Sequence, residues 1–166
     1  MACPFSLRAP PKFLGDFTFD NNFSIVNMNL RLVDSLKEGL PAINRDMNLM
    51  KKSFEPIGYF YLTKVLMQLP EFLRRKIMEL SSTTLTFGYS NVPGPKRPFM
   101  IAGKENNGIG FVMPMGGDLV GSFSIISHVN VIKVIITMDK ATMPDVKVLA
   151  DMFVTNMNEM LEGPAW

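Results

Sequence analysis

Thr83-Thr84-Leu85-Thr86-Phe87-Gly88-Tyr89 is a β-branched and aromatic run that leads straight into Ser90-Asn91-Val92-Pro93-Gly94-Pro95. Residues of the first kind suit a pleated, half-buried surface, so Thr83 to Tyr89 reads as a strand. Two prolines around one glycine then fix a rigid bend at its end. A strand delivered into a stiff bend needs partners on either side, and the flanking sequence supplies them.

Downstream, three further strands are expected at 99–103, 109–113 and 121–128. Val131 to Met138 should fold back on the third through Val129-Asn130, making a hairpin. A helix closes the pattern. Thr142 and Asp145, three residues apart, are spaced for a capping box, and Pro144 suits a first turn. Leu149, Met152, Phe153, Asn156 and Met160 would share one face, and Gly163-Pro164 would end the helix.

Upstream, residues 4–8 are a short strand candidate, followed by a loop at Ala9-Pro10-Pro11 and Gly15. From Asn22 to Leu32, Phe23, Ile25, Asn27 and Asn29 alternate with Ser24, Val26, Met28, Leu30 and Leu32, which predicts a strand with one better-buried face. Asp34 is placed to cap a helix running to about Ser53, with Leu40, Ile43, Met47 and Met50 at helical spacing. Pro41 either kinks its first turn or marks its start. Gly58 to Leu69 and Pro70 to Ser81 read as two more helices, and apolar residues surround the first almost completely. Such a helix is buried, or it faces a partner or a lipid surface. The whole chain, 1–166, reads as one α+β domain with a mixed or antiparallel sheet and helices packed against it.

Composition narrows the function. The net charge is only +2, and the basic residues are scattered apart from short runs such as Lys51-Lys52 and Arg74-Arg75-Lys76, so nucleic acid is not an expected partner. Cys3 is the single cysteine, which excludes an internal disulfide, and no Cys/His cluster has metal-ligand spacing. A reducing, intracellular setting without a metal is expected. Apolar runs such as Val129 to Met138 are interrupted by Asn130 and Lys133 and are too short to span a bilayer. The first residues lack the features of a signal peptide and the glycine of a myristoylation site, and they read as the start of a strand that has lost what came before. Fourteen methionines suit either core filling or flexible apolar walls.

The bend Ser90 to Pro95 followed by Ile101-Ala102-Gly103 resembles the signature of the wax ester synthase/diacylglycerol acyltransferase (WS/DGAT) family, in its C-terminal domain. The order of other matches covers nearly the whole chain. Pro4-Phe5-Ser6-Leu7-Arg8 and Asn22-Phe23-Ser24 stand where that family has its early strands, and the Asp34 helix follows. Pro114 with Gly116-Gly117, Ser127-His128, Asp139, Pro144-Asp145 and Glu159-Met160-Leu161 continue the series. There are departures: His128 replaces the usual Tyr, Asn130 replaces a turn glycine, and Met160 interrupts the acidic-Leu ending. Asn tolerates positive φ, so the turn should survive its replacement.

The resemblance implies the C-terminal half of the CoA-dependent, chloramphenicol acetyltransferase-like fold, in which two like halves enclose a tunnel. Family members join an acyl group from acyl-CoA to a long-chain alcohol or diacylglycerol, with a His-His-x-x-x-Asp-Gly motif in the N-terminal half as general base. That motif is absent here; His128 is the only histidine and no Asp-Gly follows it, so no catalytic residue is assigned. No cofactor is implied beyond acyl-CoA as substrate. Asn91 to Pro95 would line the tunnel, brace the other half's histidine, or only orient two strands, and Lys96-Arg97 could meet CoA phosphates. The expected partner is the missing N-terminal half, or a protein covering an apolar face, with lipid substrates implying a peripheral place at an endoplasmic reticulum or lipid-droplet membrane. The alternative is a non-catalytic family derivative, a structural or binding subunit of a larger assembly.

Overall fold

The computed structural model describes residues 1–8, 13, 22–30, 33, 36–83, 85–116 and 118–162. Contacts divide the chain into two compact units, Met1–Ser81 and Ser82–Trp166.

In the first unit, β1 (Ala2–Ser6) pairs antiparallel with β2 (Phe23–Asn27), Cys3 opposite Val26. The alternation predicted for Asn22 to Leu32 holds over a shorter span: Ser24, Val26 and Met28 are buried while Phe23 and Ile25 are half exposed. Three helices follow, α1 (Leu36–Lys52), α2 (Glu55–Met67) and α3 (Glu71–Ser82). Pro41 lies inside α1, so it does not mark the start. Helix α2 begins three residues before the expected Gly58, because Pro56, with φ already helical and no amide to satisfy, fits its first turn. Pro70 precedes α3 and accepts bonds from the amides of Leu73 and Arg74 at 3.1 and 3.0 Å. The core is Val26, Met28 and Met50, with Met1, Phe5, Met47 and Tyr59 packed on it. Four of these seven are methionines, so part of the methionine content fills this core.

Cys3 is buried in this unit, and loss of solvation pushes its thiol above the usual 9.0, against the pull of Lys51 and the amino terminus. A raised folded-state value means the contribution to stability is present below pH 9.0 and is lost as pH rises through that raised value. Cys3→Val is therefore expected to flatten the decline in stability above pH 9.0, read by urea unfolding across pH. In the folded chain Cys3 should resist a thiol reagent that labels it at once in denaturant.

The second unit is built on β3 (Phe87–Val92), β6 (Gly121–His128) and β7 (Val131–Met138), with a small separate hairpin of β4 (Met100–Ile101) and β5 (Lys104–Glu105). Strand β6 pairs parallel with β3 and antiparallel with β7, which makes the sheet mixed. Helix α4 (Val146–Glu162) lies against β7. The α+β class with packed helices is therefore the observed one, consistent with the C-terminal half of the chloramphenicol acetyltransferase-like fold.

Several expectations shift. The first strand spans 2–6, not 4–8. The strand predicted at 83–89 starts at Phe87 and continues to Val92, so Ser90, Asn91 and Val92 belong to the ladder and the bend proper starts at Pro93. No strand forms at 109–113, where the Met113 amide bonds the Ser124 hydroxyl, 3.0 Å, in place of a backbone ladder. The 121–128 and 131–138 hairpin forms as read, but φ is positive at Val129 (56°), not Asn130, so strain sits on a β-branched residue. Asp145, not Thr142, caps α4 by accepting the Lys147 amide at 3.0 Å; Thr142 is engaged with Asp139 in the preceding turn. On α4, Leu149, Phe153 and Met160 are half-buried as expected, while Met152 and Asn156 are exposed. The Pro10-Pro11 loop, the Asp34 cap, Gly117 and Gly163-Pro164 lie outside the described residues.

Candidate functional site

The bend is fastened to the tip of the β6–β7 hairpin. Past Val92, which registers with Ile126, Pro93 carries the chain across the end of β6. The Gly94 amide donates to Ser127 Oγ at 3.1 Å, and the Val129 amide donates to the Pro95 carbonyl at 2.9 Å. Gly94 also lies so close to the Ser127 carbonyl that a Cβ there would collide with backbone. Its φ is ordinary, since Gly103 is the glycine with positive φ among those described. The position thus needs glycine for room, not for conformational freedom.

The two sheet faces differ. Ile132, Val134 and Ile136 of β7 meet α4 across an open apolar groove lined also by Phe153, Val154 and Met157. The other face carries Gly88, Ser90, Ser122, Ser124, Ile126 and His128, in register on β3 and β6. Residues 99–113 run over it. Phe99 meets the His128 ring edge-on at 5.8 Å between centroids, and Met113 lies on Gly88 and bonds Ser124. Ser122 and Ser124 are 0% and 1% exposed, so the covered face is polar at its centre.

Among the named candidates, Ser90 is buried, Gly94 half-buried, and Asn91, Val92, Pro93, Pro95, Lys96 and Arg97 are exposed. His128 is buried beneath Phe99, and its Nε2 has no hydrogen-bond partner. A base needs a path to its substrate and an orienting partner, and Nε2 has neither. Ser127, named in the sequence only as part of the Ser127-His128 match, is a fastener whose role sequence reasoning missed; a polar residue on the face of β6 opposite Ser122 and Ser124, among Phe123 and Ile125, was the available signal. No group of three His, Cys, Asp or Glu able to hold a metal occurs among the described residues.

The serine face supplies a paired expectation. Ser122 Oγ is buried without a partner, so Ser122→Ala should be neutral or stabilise the chain by up to about 1 kcal/mol. Ser124→Ala strips the Met113 amide of its acceptor and should cost about 1–3 kcal/mol in chemical unfolding.

A mixed sheet with one helix-covered face, one loop-covered face and a Pro-Gly-Pro bend stapled to its hairpin is consistent with the C-terminal half of the chloramphenicol acetyltransferase-like fold. The sequence match is specific: residues 19–161 fit the model of the WS/DGAT C-terminal domain, and the chain belongs to that family. Neither the curated proteins nor the solved structures gave a match.

Proposed function

We propose that this chain, read as one C-terminal domain over 1–166, is the C-terminal part of an acyl-CoA-dependent O-acyltransferase that makes wax esters or triacylglycerol. It shapes the substrate tunnel and leaves the catalytic base to the half that carries His-His-x-x-x-Asp-Gly. The observation that carries this reading is the stapled bend: Ser127 and Val129 hold Gly94 and Pro95 at a fixed place while Asn91, Val92, Pro93 and Pro95 stay exposed. A rigid, solvent-facing bend is suited to form part of a wall against another protein surface. Exposed Lys96 and Arg97 directly after it supply positive charge for CoA phosphates. Acyl-CoA and a lipid acceptor are its substrates in this reading, and they place it at an endoplasmic reticulum or lipid-droplet surface. No helix among the described residues is long and apolar enough to cross a membrane, so the association would be peripheral.

The test is co-expression with an N-terminal half bearing the histidine motif, followed by assay of ester formation from acyl-CoA with fatty alcohol and with diacylglycerol. Formation of ester only when both halves are present supports the reading; a stable complex without ester overturns it. A second reading, a non-catalytic structural subunit, draws on the exposed apolar side of α2. Co-purification at fixed ratio with unrelated subunits would favour it.

A further inference from the structure

Strand β7 leaves one of its two edges open. It pairs with β6 along its whole length, and among the described residues no strand lies on its other side. In an antiparallel strand every second residue turns its N–H and C=O toward that outer edge. Open edges are ordinarily guarded by proline, a bulge or charge. Strand β7 has no proline, its register with β6 has no bulge, and Lys133 is its single charge. Val131 and Ile132 are 63% and 66% exposed. Contiguous with this edge is the groove that Ile132, Val134 and Ile136 form with α4, a helix with no buried residue. An acyl chain could fill the groove, but only another extended backbone offers partners to the amides and carbonyls of the edge.

Lys133 decides which backbone that is. Residues directly opposite in a ladder share a face, so a two-fold axis through the sheet can set β7 against β7 of a second copy, with nearly full overlap, in two registers. One is centred on Val134 and the other on Ile135. Centred on Val134, Lys133 falls diagonal to Lys133 of the second copy, close enough to repel it. Centred on Ile135, it stands opposite Thr137 and diagonal to Asp139 of the second copy, and the axis makes that opposite-charge pair twice. Lys133 and Asp139 are both exposed. Asp139 accepts the Ala141 amide at 3.1 Å and the Thr142 hydroxyl at 3.4 Å, and its carboxylate retains further lone pairs for a lysine. In the same register Ile136 and Met138 of the second copy come beside Val134 and Ile132 and add an apolar wall to the groove. Backbone, charge and apolar surface are all answered by β7 itself.

We infer that two copies of this chain associate through β7, antiparallel about a two-fold axis at Ile135, so that the β3-β6-β7 ladder of each continues into that of the other. Main-chain bonds along the strand hold the pair, and Lys133 with Asp139 sets its register. The inference goes beyond the proposed function and does not depend on it.

Light scattering of the full chain tests it. The mass should be twice the 18.6 kDa of one chain, and a monomer at concentrations on the order of 100 µM, where even a weak dimer forms, overturns it. Lys133→Glu changes an exposed side chain, so the variant should fold, checked by circular dichroism. It sets Glu diagonal to Asp139 at both ends and should raise the dimer dissociation constant by about tenfold, a gap that narrows at high salt. Equal dissociation constants for this variant and the unchanged chain overturn the charge pairing. Cross-linking reads the register in chains carrying Cys3→Val. Ile135→Cys brings two thiols face to face on the axis, with Cα atoms about 4.5–5.5 Å apart, and should link the copies on mild oxidation. Val134→Cys sets them diagonally at about 7–8 Å and should stay reduced. Linkage through Val134→Cys and not Ile135→Cys overturns the register, and linkage through neither overturns the pairing. Co-expression with an N-terminal half separates this inference from the proposed function. An ester-forming complex with two copies of each half supports both. A one-to-one complex in which Ile135→Cys no longer links means that the other half covers β7, and overturns the second copy.

Discussion

Gly94→Ala is expected to destabilise the second unit by about 2–3 kcal/mol, because the added methyl must displace backbone and not a side-chain end. The methyl would meet the Ser127 carbonyl oxygen, with Ile126 Cγ1 3.3 Å away. That carbonyl belongs to β6, where Ser127 pairs with Ile132 of β7 one residue past the end of the β3 ladder at Ile126, so it can retreat only by disturbing the hairpin. Moving Gly94 instead stretches its 3.1 Å bond to Ser127 Oγ and the Val129–Pro95 bond beside it. Gly88→Ala is the control. Its methyl would meet the terminal Cε of Met113, which can swing aside, and strand alanine is favoured over glycine, so the net change should stay within about 1 kcal/mol. Urea unfolding of the two variants followed by circular dichroism separates them. Equal behaviour would mean the bend is not tightly fastened to the hairpin, and the wall proposed for it would lose its rigidity.

The contrast between these two glycines shows where sequence reading stops. That the motif bends was legible from Pro93, Gly94 and Pro95, whose backbone restrictions are local. That Gly94 serves close approach to Ser127, thirty-three residues on, is a tertiary fact with no local trace. The same division runs through the fold. The 121–128 and 131–138 hairpin was legible because alternation, β-branching and a two-residue turn all agree. The boundary of β3 was not, since Asn91 and Val92 are drawn into the ladder by parallel pairing with Ile125 and Ile126. The expected strand at 109–113 failed for the opposite reason. Its apolar residues looked strand-like, but Gly108 and Gly110 weaken the run and Ser124 offers the Met113 amide a better partner than any backbone. At the cap of α4, Thr142 and Asp145 had the right spacing, but Asp139 engages Thr142 first and leaves Asp145 to cap alone. The outward stripe of α2 was half legible: an all-apolar helix is visible in sequence, whereas which side meets β2 is decided by the Val26–Met50 core.

In an assembled acyltransferase, His128→Phe is expected to leave ester formation within about twofold of the unchanged chain, while loss of the general-base histidine of the motif in the other half should reduce it by about 10²–10⁴-fold. The asymmetry follows from what each group can reach. His128 is 8% exposed, its ring is set edge-on against Phe99, and its Nε2 is buried with no partner to orient it or receive its proton. Phe keeps the ring contact and removes an unpaired polar atom, so the substitution should also be neutral or mildly stabilising. The chain alone should show no esterification above the uncatalysed rate, because a rigid wall can orient an acyl-CoA but cannot take the proton from an alcohol. The measurement is ester produced per unit time from acyl-CoA and fatty alcohol, for each half, for the pair, and for the pair carrying each histidine substitution. Activity in the lone chain that His128→Phe abolishes would overturn the division of labour and place the base on β6. Activity of the pair that is indifferent to His128 but falls when Gly94 is replaced by Ala, in a variant that circular dichroism shows still folded at the assay temperature, would tie turnover to the stapled bend and support the wall proposed for it.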